Sequence, residues 1–165
     1  MAILLILGGV QQNPGPSHRI NRSGSISMGC LNVRSAVNKF AIIHSIIDDH
    51  NIDILAVTET WITSDAPPAI KADIAPPGYS VLHVHRESLS GGPTRGGELA
   101  VVHRDNLVVR TSSLQEEFRS STFELQLVEV RAGGGFIIVA NIYRPPTQAL
   151  GASFFDELAT YSLIS

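Results

Sequence analysis

Cysteine and tryptophan each occur once in the 165 residues, and lysine only at positions 39 and 71. A single cysteine, Cys30, excludes an internal disulfide and points to a reducing compartment. Lying in an apolar stretch, it reads as a small core residue. No apolar run approaches the ~20 residues that a membrane-spanning helix needs, so no membrane partner is expected. Ala2–Leu7 is apolar but short for the core of a signal peptide, and no Lys or Arg precedes it. Charged residues make up 16% of the chain and the formal net charge is −3, so no overall basic field advertises nucleic acid. Arginine carries most of the positive charge. Arg86, Arg95, Arg104 and Arg110 fall in one segment, and arginine favours bidentate contacts to phosphate; four over such a span are more often surface charge. What is abundant is apolar: 44% of the residues, enough for one globular domain with its own core.

The stretch from Asp53 to Trp61 organises the rest. Ile54 to Val57 is an uninterrupted apolar run of strand length, the pattern of a strand buried on both faces. It ends at Glu59. Strand ends of this kind are where α/β folds bind ligands, and a carboxylate held there suits a hard metal ion such as magnesium. Read alone, Glu59 is more simply a solvated loop glutamate followed by a partly buried tryptophan. Ile26 to Val33 predicts a preceding strand. Apolar spacing at Phe40, Ile43, Ile46 and Ile47 predicts an amphipathic helix over 38–50. Strand, helix, strand within about thirty residues is a parallel βαβ unit. Residues 63–78 read as irregular, and Glu87 to Gly97 as a loop. Strands are expected over 79–85, 99–103, 107–111, 121–130 and 135–143, with Gly133-Gly134-Gly135 as a hairpin signal. Ser153 to Leu163 reads as a closing helix.

A parallel unit followed by an antiparallel meander makes the chain α+β with a mixed sheet. Two helices cannot cover that many strands, so some apolar sheet surface is expected to lack a visible partner. Residues 1–25, with Asn13-Pro14-Gly15-Pro16 inside them, read as a leader not packed on the domain, which occupies 26–165.

Asn32, Glu59 and Tyr143 each follow an apolar strand and could meet on one rim of a sheet. A carboxylate, an amide and a phenol suit metal-assisted attack on a phosphodiester. The carboxylate holds the ion, while amide and phenol orient phosphate or water. His83 and His85 share one strand face, but no third ligand stands at zinc spacing, so a structural role is expected. The glycine-rich loop lacks the Gly-Lys-Ser/Thr of a P-loop.

Taken together, these pieces resemble the endonuclease/exonuclease/phosphatase family, and within it the apurinic-type endonuclease domain of non-LTR (LINE-like) retrotransposons. The resemblance rests on Leu31-Asn32-Val33-Arg34-Ser35, Asn38-Lys39, Asp53-Ile54 and Thr58-Glu59-Thr60-Trp61. Further on it rests on Gly78-Tyr79, Arg95-Gly96-Gly97 with Ala100-Val101, Tyr143-Arg144-Pro145-Pro146 and Phe154 to Leu158. It implies a four-layer α/β sandwich of two packed mixed sheets flanked by helices, and a magnesium-dependent hydrolase, with manganese able to substitute, that nicks DNA. By it Glu59 looks like the metal carboxylate, Asn32 a metal-site or phosphate-orienting residue, and Tyr143 the phenol contacting the scissile phosphate. Arg34, Arg95 and Arg144 are the implied nucleic-acid contacts. Glu98 stands where the family has a small residue. The implied partners are DNA and the reverse transcriptase region of the parent element, and the implied location is intracellular, nuclear in a working element.

Family members continue into a Gly-Asp-Phe-Asn strand and a Ser-Asp-His segment. Neither occurs here, so the resemblance covers roughly the first two thirds of such a domain and predicts weak chemistry. Asn13, Pro14, Gly15 and Pro16 resemble a 2A-type ribosome-skipping peptide, with Gly9 and Gln11 where acidic residues are typical. Two other functions stand beside the nicking endonuclease. One is a family phosphodiesterase or phosphatase acting on lipid, inositol phosphate or RNA; the other is a non-catalytic fragment that binds DNA or nothing.

Overall fold

The computed structural model describes residues 2–7, 25–85, 97–117, 120–145 and 151–162. Among these residues two four-stranded sheets carry the fold. The first is built from β2 (Met28–Asn32), β3 (Ile54–Thr58), β4 (Tyr79–Val84) and β5 (Leu99–Arg104), in the order β2-β3-β5-β4. As expected, β2 and β3 are parallel and joined by the helix α1 (Phe40–His50), while β5 runs antiparallel to both of its neighbours. All five residues of β3 are buried, which is why that strand reads as an unbroken apolar run. The helix buries Ile43 and Ile47 and stops at Asn51, whose left-handed backbone (φ 49°) closes the last turn. A short helix α2 (Pro68–Ala72) lies within the stretch expected to be irregular; Pro67 and Pro68 supply the fixed φ that starts it.

The second sheet is antiparallel throughout, in the order β1-β8-β7-β6. It comprises β1 (Ala2–Leu7), β6 (Val109–Thr111), β7 (Glu124–Ala132) and β8 (Gly135–Tyr143). The β7–β8 hairpin turns at Gly133, whose φ of +59° is a left-handed position open to glycine. The placement of β1 corrects the expectation that all of residues 1–25 lie off the domain. Ala2–Leu7 pairs with β8 from Ala2↔Tyr143 to Leu7↔Ile138. An uninterrupted apolar run is a ready partner for the otherwise open edge of β8.

Four layers result. On the outer face of the first sheet, α1 and the segment after β3 pack Ile43, Ile47, Ile62 and Ile74 against Leu55, Val57, Ala100 and Val102. Between the sheets, Ile54 and Val101 meet Val128, Val130 and Val139. On the far side, α3 (Ala152–Ser162) seats Phe154 against Phe123, Leu125, Leu127, Ala140 and Ile142. The expectation of uncovered sheet surface is thereby corrected: the surplus faces cover each other. Alternation along β8 serves both sides, with Val139 facing the first sheet and Ala140 and Ile142 facing α3. Cys30, expected in the core, is exposed because β2 is an edge strand of its sheet. Among the described residues, no helix is long and apolar enough to cross a membrane.

Candidate active site

Three strand ends meet at one end of the sandwich. Asn32 closes β2, Glu59 follows β3, and Tyr143 closes β8 in the other sheet. Glu59 Oε1 accepts a hydrogen bond from the Tyr143 hydroxyl at 2.6 Å and from Asn32 Nδ2 at 3.1 Å. The three residues expected to converge are in contact. Asn32 is exposed, Glu59 half-buried and Tyr143 buried, so the carboxylate lies at the surface with a rigid floor beneath it.

Burial pushes the Glu59 carboxyl up. Hydrogen bonds from Tyr143 and Asn32, with the nearby Trp61 indole and the positive charge of Arg34, outweigh that and hold it below the usual glutamate range. Glu59 is therefore ionised at neutral pH while being gripped by donors. An anionic oxygen centre of this kind attracts a cation or orients a polar substrate.

The backbone around it is strained. Arg34 (φ 44°), Ser35 (77°), Glu59 (56°), Trp61 (55°) and Glu98 (56°) all adopt left-handed conformations without being glycine. Each such residue costs about 1–2 kcal/mol. Hydrogen bonds from both sides hold the strain in place. The chain after β2 docks through Ser35 N to Glu59 O (2.8 Å) and Ala36 N to Thr60 O (2.8 Å). The chain before β5 accepts Thr60 N at Glu98 O (3.2 Å) and Trp61 N at Gly97 O (3.4 Å). Lys39 Nζ binds Val33 O at 2.6 Å and Arg34 O at 2.9 Å, which pins the loop carrying Arg34. Strain that neighbours over-determine is characteristic of functional sites.

Arg34 is exposed beside this cluster, and Arg144 follows Tyr143 with its guanidinium on Pro145 O at 3.2 Å. Arg95, Arg86 and Asn13-Pro14-Gly15-Pro16 lie outside the described residues. Arg104 and Arg110 are engaged elsewhere. Arg104 binds Asp53 (2.7 Å) and Asn51 (2.6 Å) at the opposite end of the first sheet, and Arg110 binds Glu129 (2.8 Å). His83 and His85 stack and bind the Lys71 and Ile62 carbonyls, each at 2.9 Å, tying β4 to the chain around α2. Among the described residues, no three His, Cys, Asp or Glu side chains form a group able to hold a metal. A cation at Glu59 would have one carboxylate, with the Asn32 amide oxygen as the next oxygen donor. Magnesium accepts such sites because it keeps water or substrate oxygens in its remaining positions.

Lys39 appears in the sequence only as half of an Asn-Lys pair, and its grip on two carbonyls was not legible there. Nor did the sequence single out Asn141, a polar residue inside an apolar strand pattern, although that interruption was the available signal.

No protein-family model matches the sequence. Over 124 residues the chain is 26% identical to the RNA-directed DNA polymerase from mobile element jockey of Drosophila melanogaster, an alignment covering 75% of this chain and 12% of that protein. Among solved structures, a Neisseria 3' phosphatase, NExo, bound to a product DNA hairpin, aligns over 82% of this chain and 48% of its own, at TM-score 0.42 and 14% identity. The chain thus spans about an eighth of the length of the curated mobile-element polymerase it matches, and is similar to that protein over three quarters of its own residues.

Proposed function

We propose that the chain carries the metal- and phosphate-binding part of a magnesium-dependent phosphodiesterase that nicks DNA for a mobile element. The observation that carries this reading is the shared grip on Glu59 Oε1 by the Tyr143 phenol at 2.6 Å and the Asn32 amide at 3.1 Å. Glu59, with Asn32, holds magnesium, or manganese in its place. The ion, when bound, supplies positive charge to the phosphoryl oxygens of the scissile group. The Tyr143 hydroxyl is a short hydrogen bond away from the carboxylate, in position to turn its donor to a phosphate oxygen. Arg34 and Arg144, next in sequence to the site, contact the DNA backbone, with Arg95 as a third contact; these contacts set position and not base sequence. The leader's Asn13-Pro14-Gly15-Pro16 is the proposed skipping site, and the nucleus the proposed place of action.

Ionised Glu59 binds and orients but does not transfer the proton that the leaving oxygen needs. General acid–base help is worth about 10²–10⁴-fold, and neither Asn32 nor Tyr143, the side chains that grip Glu59, is a His or a carboxyl. The chain alone therefore binds magnesium and DNA and cleaves slowly. Joining it to a segment bearing the Asp-Asn and Asp-His pairs should restore nicking of supercoiled plasmid, and Glu59→Gln should abolish it. A restored activity indifferent to Glu59→Gln contradicts the proposal. So does DNA affinity that ignores salt, since phosphate contacts release counterions.

A further inference from the structure

Asn141 lies two residues before Tyr143 on β8 and is fully buried between the sheets. Its Nδ2 is 3.2 Å from Val57 O and 3.3 Å from Ala100 O, carbonyls of β3 and β5 in the opposite sheet. It also reaches Gln126 Oε1 in β7 at 3.2 Å, and Gln126 Nε2 donates to Leu82 O of β4 at 2.8 Å. Among the described residues Asn141 Oδ1 has no partner, so the donors hold the side chain. Around these amides the layer packs Ile54, Val101, Val128, Val130 and Val139.

Aliphatic contact is non-directional and tolerates one sheet sliding over the other. A hydrogen bond does not, because it weakens steeply with distance and angle. A buried amide that lost its acceptors would also be costly. The amide bonds of Asn141 and Gln126 are thus the directional ties across the layer, and those of Asn141 to β3 and β5 lie nearest the site.

The register places that bridge directly beneath the site. Val57 precedes Glu59 by two residues on the chain of β3, as Asn141 precedes Tyr143 on β8. Asn141 to Val57 O and Tyr143 to Glu59 Oε1 are therefore successive rungs between the same two strands. A slip at the lower rung is carried one pleat, about 6.6 Å, to the upper one.

We infer that Asn141 is a positioning residue: its buried amide locks the two sheets in the one offset that sets the Tyr143 phenol on the Glu59 carboxylate. Its consequence for catalysis rests on the proposed role of Glu59. The geometry itself can be tested without metal or DNA.

Trp61 is the sole tryptophan, and its indole lies close enough to Glu59 to help hold that carboxyl ionised. In the ¹⁵N-labelled full chain its indole resonance is a single reporter of the site. Tyr143→Phe marks where that resonance falls when the phenol bond is lost. Asn141→Leu should move it in the same direction to about that position. Gln126→Leu spares the bonds to Val57 and Ala100 but removes the tie to Leu82; it should lower the melting temperature and move the resonance clearly less than Asn141→Leu does. Asn141→Ser keeps one donor and should give a partial displacement, and it serves if Asn141→Leu does not fold. A structure of the folded variant should show the 2.6 Å Tyr143–Glu59 bond lengthened or broken. An unchanged bond in either Asn141 variant overturns the inference, as does a Gln126→Leu displacement equal to that of Asn141→Leu. If the inference holds while Glu59→Gln leaves magnesium binding intact, the proposed function alone fails.

Discussion

The Tyr143 hydroxyl reaches Glu59 Oε1 at 2.6 Å across the boundary between two sheets, joining residues 84 positions apart in the chain. One residue of the pair ends a parallel βαβ unit and the other ends an antiparallel hairpin. The pair therefore exists only when both sheets are formed and packed. Tyr143→Phe should cost about 1 kcal/mol at pH 7, the low end for a bond to a charged group because Glu59 is partly open to solvent. Glu59 is held below its ordinary range in the folded state, so its contribution is present above that range and lost as pH falls through the folded value. Chemical denaturation of wild type and Tyr143→Phe should accordingly show a gap at pH 7 that closes in acid. A gap independent of pH would mean that the phenol does not act through the ionised carboxylate.

Glu59 itself occupies a left-handed conformation (φ 56°). In ordinary helix or strand positions alanine is more stable than glycine by roughly 0.5–1 kcal/mol. At residue 59 the order should invert, with Glu59→Gly more stable than Glu59→Ala by about 1 kcal/mol, because only glycine adopts that backbone freely. Paired melting curves measure it. Alanine equal to or above glycine would show that the strain is absent.

A second carboxylate fastens the last helix. Burial pushes the Glu157 carboxyl up, but hydrogen bonds from Ser120, Ser121 and Thr122 overcome this and hold it at about 2. They include Ser121 Oγ at 2.6 Å and Thr122 Oγ1 at 2.7 Å. With a depressed folded value, the stabilisation is full above the ordinary glutamate pKa of about 4.3 and drains away as pH falls toward 2. Glu157→Gln should lower the melting temperature at pH 7 and flatten its dependence across that acid window. An unchanged slope would place the acid sensitivity elsewhere.

The first strand offers a separate test. Because β1 covers the edge of β8 as far as Tyr143, deleting residues 1–7 should speed amide exchange along β8 and leave β7 protected by its other pairings. The bared edge should also promote self-association, visible in size-exclusion chromatography. Unchanged β8 exchange would mean that β1 does not pair there in solution.

The local elements were legible because they are locally determined. The spacing of Ile43 and Ile47 specifies a helix, the unbroken run at β3 a doubly buried strand, and the glycines after Ala132 a hairpin. Asn32, Glu59 and Tyr143 were legible as strand ends, and the structure brings them together. Three things were not. Faces of strands 125–142 that face the first sheet and faces that meet α3 are equally apolar, so from the residues alone nothing announced two sheets in place of one. The pairing of β1 depends on an edge some 130 residues away, beyond the reach of any local pattern. The left-handed turns at Arg34, Ser35 and Glu59 carry none of the glycines that usually mark such backbone, because hydrogen bonds from neighbouring loops hold them there.

The central claim is that Glu59 is the carboxylate of a divalent-metal site. Titrating the labelled chain with manganese, whose paramagnetism broadens only nearby resonances, tests it most directly through the single indole of Trp61. Selective, saturable broadening of that resonance, reversed by excess magnesium and absent in Glu59→Gln, is the predicted result. Broadening that persists in Glu59→Gln, or that spreads evenly over the surface carboxylates and spares Trp61, would contradict it.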